Sequence, residues 1–111
     1  MPAYCIFQVT VNDPTRYADY AKHTPRIINK FGGKMIVRGG DMEVLEGQAG
    51  GQRVVVIEFP DRAAVKAFYN SPEYREILKI RQPVSVANGI VVDGVAPGAW
   101  EAAVAESNKH G

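Results

Sequence analysis

The chain has 111 residues, a formal net charge of +1, 46% hydrophobic and 23% charged residues and a single cysteine. That length suits one domain with one core, and the charge balance excludes the basic footprint of a nucleic-acid binder or of a protein held electrostatically on anionic membrane. One cysteine leaves no internal disulfide, as in a reducing compartment; no apolar run approaches the ~20 residues that span a bilayer, and no basic segment followed by an apolar run opens the chain. A cytoplasmic location is therefore expected, with neither nucleic acid nor membrane as partner.

Residues 3–11 alternate, Cys5, Phe7, Val9 and Val11 on one face and Tyr4, Ile6, Gln8 and Thr10 on the other, which is the period of a strand. Asp13-Pro14 is a helix start, with Asp13 as cap and Pro14 at the first position. Tyr17, Tyr20, Ala21, Thr24, Ile27, Ile28 and Phe31 then repeat at three- and four-residue spacing, which predicts one helix over residues 14–31, kinked at Pro25 and ended by Gly32-Gly33.

Lys34 begins a second strand that reaches Arg38, is interrupted by a bulge at Gly39-Gly40, and resumes over residues 42–46. Residues 47–51 make a glycine-rich hairpin loop, and a third strand returns over residues 52–59. Its run Val54-Val55-Val56-Ile57-Glu58-Phe59 is that of a strand covered on both faces. Pro60 ends it; Asp61 caps a helix over residues 61–70, and Ser71-Pro72 starts another over residues 72–80. Residues 84–93 form a fourth strand. Pro97-Gly98 separates the domain, residues 1–96, from a tail, residues 97–111, expected to be helical with Trp100 and Val104 on one side.

The element order β-α-β-β-α-β packs most simply as an α+β ferredoxin-like sandwich, an antiparallel four-stranded sheet with its helices on one face. Cys5, Phe7, Val9, Met35, Val37, Val55, Ile57 and Phe59 are assigned to the helix side. Tyr4, Ile6, Gln8, Ile36, Arg38, Met42, Val44, Val54, Val56 and Glu58 fall on the other, too aliphatic a surface to leave in water. A second copy of the chain is the simplest cover, so a homodimer is expected. A hairpin closed between Glu46 and Gln52 brings Arg38 within reach of Glu58, with Gln8 beside them. Those two charges, Arg38 and Glu58, are either a structural ion pair or the polar anchor of a ligand. Arg81, after the short helix over residues 72–80, is expected to line the entrance.

Other chemistry has little support. His23 lies on a wet helix face, His110 in the tail, and no metal-ligand spacing or cofactor fingerprint is present, so no metal or cofactor is expected. Cys5 reads as a core residue. The opening Met1-Pro2-Ala3-Tyr4 is similar to that of the tautomerase superfamily, in which an N-terminal proline acts as a base; this resemblance covers only those residues.

A second resemblance runs along the chain. Tyr17-x-x-Tyr20, Phe31-Gly32-Gly33-Lys34, Val37-Arg38-Gly39-Gly40, Leu45-Glu46-Gly47, the run from Val55 to Pro60, the run from Phe68 to Tyr74, and Arg81 occur in that order. Together they resemble the domain-of-unknown-function 1330 (DUF1330) family, from about residue 3 to residue 94. The resemblance implies a dimeric α/β-barrel, in which two ferredoxin-like sheets face each other. The wider superfamily includes cofactor-free oxygenases, lactone isomerases, haem enzymes and ligand-sensing domains, and none of its catalytic motifs maps onto residues here. The expected function is binding, and in a stronger form transformation, of a small polar or anionic organic molecule by Gln8, Arg38, Glu58 and Arg81. The alternatives are a non-enzymatic dimerisation or sensing module and an N-terminal-proline tautomerase.

Overall fold

Three short side chains set the helix starts. Asp13 accepts a hydrogen bond from the Arg16 amide at 3.2 Å, Asp61 from the Ala64 amide at 2.8 Å and Ser71 from the Tyr74 amide at 3.1 Å, each satisfying an amide the helix itself cannot. In the computed structural model, which describes residues 1–111, the elements are β1 (Ala3–Val11), α1 (Pro14–Ala21), α2 (Thr24–Lys30), β2 (Lys34–Arg38), β3 (Arg53–Phe59), α3 (Arg62–Tyr69), α4 (Pro72–Arg81), a 3₁₀ turn (Gln82–Val84), β4 (Ser85–Asp93) and α5 (Ala99–Asn108). The sheet has four antiparallel strands in the order β2-β3-β1-β4. This is the expected α+β ferredoxin-like sandwich. No helix is long and apolar enough to cross a membrane.

The expected single helix over residues 14–31 is two helices. Pro25 has no N–H to offer the Ala21 carbonyl, and the Thr24 hydroxyl donates to that carbonyl instead, at 3.0 Å. The helix therefore restarts rather than kinks.

The second departure decides where the site lies. β2 stops at Arg38, and residues 42–46 form no strand. The irregularity falls at Ile36, not at Gly39-Gly40: Met35 pairs with Ile57, but Val37 pairs with Val56 and Arg38 with Val55. One extra residue reverses every later side chain. Val37 thus joins the open face and Arg38 the helix face, the opposite of the expected assignment. Glu58 is paired with Lys34, so the expected Arg38–Glu58 neighbourhood does not form. Gly39 follows at φ +64°, a conformation that favours glycine, and its amide donates to the Val54 carbonyl at 2.9 Å.

The core lies between the sheet and α1–α4. Ala3, Cys5, Val9, Val55, Ile57 and Phe59 of the sheet pack against Tyr17, Tyr20, Ile28, Phe68, Tyr74 and Leu78, among others. The open face carries Ile6, Val54 and Val56 half-buried and Val37, Val86, Ile90 and Val92 exposed. α5 has no buried residue and no extensive contact with the other elements.

The corner between α3 and α4 is held by Ser71, whose buried hydroxyl donates to the Phe68 carbonyl at 2.7 Å while accepting from Tyr74. Ser71→Ala is expected to leave the fold intact and lower its stability by about 1 kcal/mol, read as a lower urea midpoint at unchanged m-value. An unchanged midpoint would mean the corner stands without that hydroxyl.

Candidate functional site

Tyr17 and Tyr20 are three residues apart on α1, and Tyr74 and Arg81 are two turns apart on α4, so each pair points inward from one helix face. The bulge turns Arg38 toward the same space, and Arg53, one period-two step before Val55, points there from the start of β3. These residues line a cavity of about 30 Å³ between the sheet and α1, α2 and α4. Its charged lining is Arg38, Arg53 and Arg81, and it contains no Asp, Glu or His.

Arg81 is 7% exposed, and its Nε has no hydrogen-bond partner; the Nε of Arg53 is likewise buried and unpartnered. None of the three arginines forms a salt bridge. The Arg81 guanidinium instead lies 5.7 Å from the ring centres of both Phe7 and Tyr20, and that of Arg53 lies 5.7 Å from Tyr17. Ring faces offset part of the cost of burying a cation but leave its N–H donors unmet. Arg53 also fits against Gly39, where a Cβ would stand 2.5 Å from its Cζ.

The Tyr20 and Tyr74 hydroxyls are 2.8 Å apart and buried. Burial pushes both phenols above their ordinary range, against the opposing pull of Arg81. They are hydrogen-bonding groups, not bases, at neutral pH. The cavity can hold and stabilise negative charge. No group in it is placed to accept a proton.

The four residues singled out from sequence divide. Arg38 and Arg81 line the cavity; Gln8 and Glu58 lie on the open face, Gln8 opposite Val54 and Asn88 and Glu58 opposite Tyr4 and Lys34. Sequence reasoning missed Arg53, although the alternation that placed Val55, Ile57 and Phe59 on the helix side reaches it too. Tyr17 and Tyr20, in the expected helix stripe, pack in the core, and with Tyr74 they also wall the site.

A family model described as domain of unknown function (DUF1330) matches residues 2–95. The chain belongs to the DUF1330 family. Among curated proteins none matches it. Solved structures similar to this DUF1330 chain include a protein of unknown function from Rhodopseudomonas palustris, 24% identical over 86% of this chain and 84% of that one, with a TM-score of 0.69. A dimeric ferredoxin-like protein of unknown function from Jannaschia sp. CCS1 is 11% identical over 85% and 100%, with a TM-score of 0.67. SnoaB, a cofactor-independent oxygenase from Streptomyces nogalater, is 11% identical over 86% and 94%, with a TM-score of 0.56. At these identities the likeness establishes the fold that DUF1330 shares with them and nothing about its chemistry.

Burial also pushes the Cys5 thiol up from 9.0 to about 11. Cys5, Tyr20 and Tyr74 are neutral when protonated and hold their protons more tightly folded than unfolded. As pH rises, the unfolded chain ionises first. Their contribution to stability is complete below about pH 8; that of Cys5 is lost from about pH 9 upward and that of the two tyrosines from about pH 10 upward, each at up to ~1.4 kcal/mol per pH unit. Urea midpoints measured from pH 7 to pH 10.5 should fall along that course, with a shallower fall in Cys5→Ala. A flat profile would contradict the burial of these groups.

Proposed function

We propose that the protein binds a small organic anion, its acid group held by Arg81 with Arg38 and Arg53, and that it works as a homodimer joined through the open faces of two sheets. The observation that carries the binding reading is Arg81, a charge buried to 7% exposure with no carboxylate beside it. A buried guanidinium left unpaired costs several kcal/mol. Two further arginines, exposed Arg38 and half-buried Arg53, add positive charge at the same cavity. A bound anion offsets that cost, and guanidinium groups meet a carboxylate in bidentate geometry.

The dimer reading rests on the open face. Val37, Ile90 and Val92 stand exposed beside Ile6, Val54 and Val56, a contiguous apolar patch of the sort that marks an interface. At ~25 cal/mol per Å², covering it drives association. This reading also accommodates the alternative of a dimerisation or sensing module, since binding alone, without reaction, satisfies the arginines.

Removing Arg81 separates the binding role from a structural one. Without ligand, Arg81→Met is expected to be more stable than the wild type by about 1 kcal/mol or more, because it removes an unpaired buried charge and keeps an apolar stem. Benzoate at 100 times its Kd should stabilise the wild type by about 2.7 kcal/mol and leave the variant unmoved, read by thermal unfolding beside a chloride control. Equal shifts in both proteins would place binding elsewhere.

For the dimer, light scattering at micromolar concentration should give twice the monomer mass, and Val56→Asp should give a monomer or an unfolded chain, because the carboxylate would be buried against the partner sheet. A monomeric wild type would remove the dimer reading without touching the arginine site.

A further inference from the structure

A cavity of about 30 Å³ is about a tenth of the smallest ordinary ligand pockets, which start at about 300 Å³. It is too small for the body of an organic ligand. The rest of an organic ligand has to lie elsewhere, and Arg81 shows where. Its side chain also lines a second, wider cleft of about 290 Å³ between α3 and the edge strand β4, at the lower end of the ligand-pocket range of about 300–1,000 Å³. Phe7 lines both spaces. Its ring lies over Gly89, where a Cβ would stand 2.5 Å from the ring edge, so the missing side chain at Gly89 is what seats Phe7 in the wall between them.

The cleft is apolar inside, with Cys5, Val65, Tyr69, Ala87 and Val91 in its lining, and polar at Lys66 and Asn70. It contains no Asp or Glu. An acid group entering from this side meets Arg81 without having to pass its body through the narrow cavity.

We infer that the ligand is a monocarboxylic acid with an extended apolar body, its carboxylate on Arg81 and its alkyl or aryl chain in the cleft between α3 and β4. This rests on the anion-binding reading above and adds the site and chemical class of the body.

The test is a homologous series, acetate, butyrate, hexanoate and octanoate, titrated by calorimetry into the full chain at fixed ionic strength. Affinity is expected to rise about three- to fourfold per methylene while the chain fills the cleft. Ala87→Leu, which places bulk in the lining of the cleft but not of the arginine cavity, should flatten the series for hexanoate and octanoate and leave butyrate within about twofold of wild type, with its unfolding midpoint checked first. Amide chemical shifts of the wild type give a second measure that needs no variant: octanoate should move Ala87, Val91 and Tyr69, and acetate should not. If the acids bind with no gain in affinity along the series, or octanoate leaves the cleft amides unmoved, the cleft assignment is wrong and the arginine site stands. If no acid in the series binds, and benzoate does not either, both fall together.

Discussion

Arg81 carries a positive charge into an interior that contains no carboxylate to meet it, and much of the nearby architecture serves to hold it there. The Ser71 corner fixes the start of α4 and with it the phase of that helix, so that Tyr74 and Arg81 both face the sheet. Tyr74 is then locked against Tyr20 by the hydroxyl pair and against Phe68 by ring packing at 4.5 Å. The guanidinium lies 5.7 Å from the ring centres of both Phe7 and Tyr20, at the wall between the cavity and the wider cleft. A protein selected for stability alone gains nothing from this arrangement. Buried ionic groups are commonly replaced by apolar ones without loss, and strain of this kind concentrates where something is bound.

The fold was legible because its signals are local and agree with one another. Asp13, Asp61 and Ser71 are caps with proline or a helical stripe after them, and the alternation of residues 3–11 and the apolar run of residues 54–59 both read as strands. The site was only half legible, for a physical reason. A bulge placed three residues late changes no hydrophobic count, yet it sends Arg38 and Val37 to the wrong faces. Gly39-Gly40 advertised an irregularity, and glycine was the natural place to put it. Ile36 carries no such mark, since a β-branched residue is at home in a strand. Gly39 serves a different purpose, turning the chain at positive φ and leaving room for Arg53. Pro25 misled in a similar way: its missing N–H was foreseen, but not that the Thr24 hydroxyl would take over the freed carbonyl.

The two faces of β1 illustrate how one strand serves two surfaces. Cys5, Phe7 and Val9 meet the helices and the cavity walls; Tyr4, Ile6 and Gln8 belong to the open face. The segment between β2 and β3 folds back along the same strand. Gly51 comes so near that a Cβ would stand 3.0 Å from the Val9 amide nitrogen, and Gly50 lies against the Gln8 amide. Gln52 reaches the Val11 amide from that segment at 3.3 Å. Glycines are needed here for close approach rather than for a hairpin turn, which is why the segment reads as a loop in sequence but gives no hint of what it touches. Its far end leads directly into Arg53, so the packing of the loop on β1 fixes the start of β3 and the arginine it carries.

The arginine site lies on the helix side and the apolar patch on the open side, and β1 and β3 are common to both. A change at Ile6 or Val56 is one residue removed from Phe7 or Val55, both cavity-lining. Well-packed sheets transmit small displacements, because side chains in a close-packed layer have few alternative arrangements. The charge inventory, rather than likeness to other folds, carries the functional reading. Proteins of this shape host unrelated chemistries, whereas here three guanidinium groups line one small cavity with no acid among them, an arrangement that favours negative charge. The wider cleft on the other side of Arg81 is lined mainly by apolar side chains.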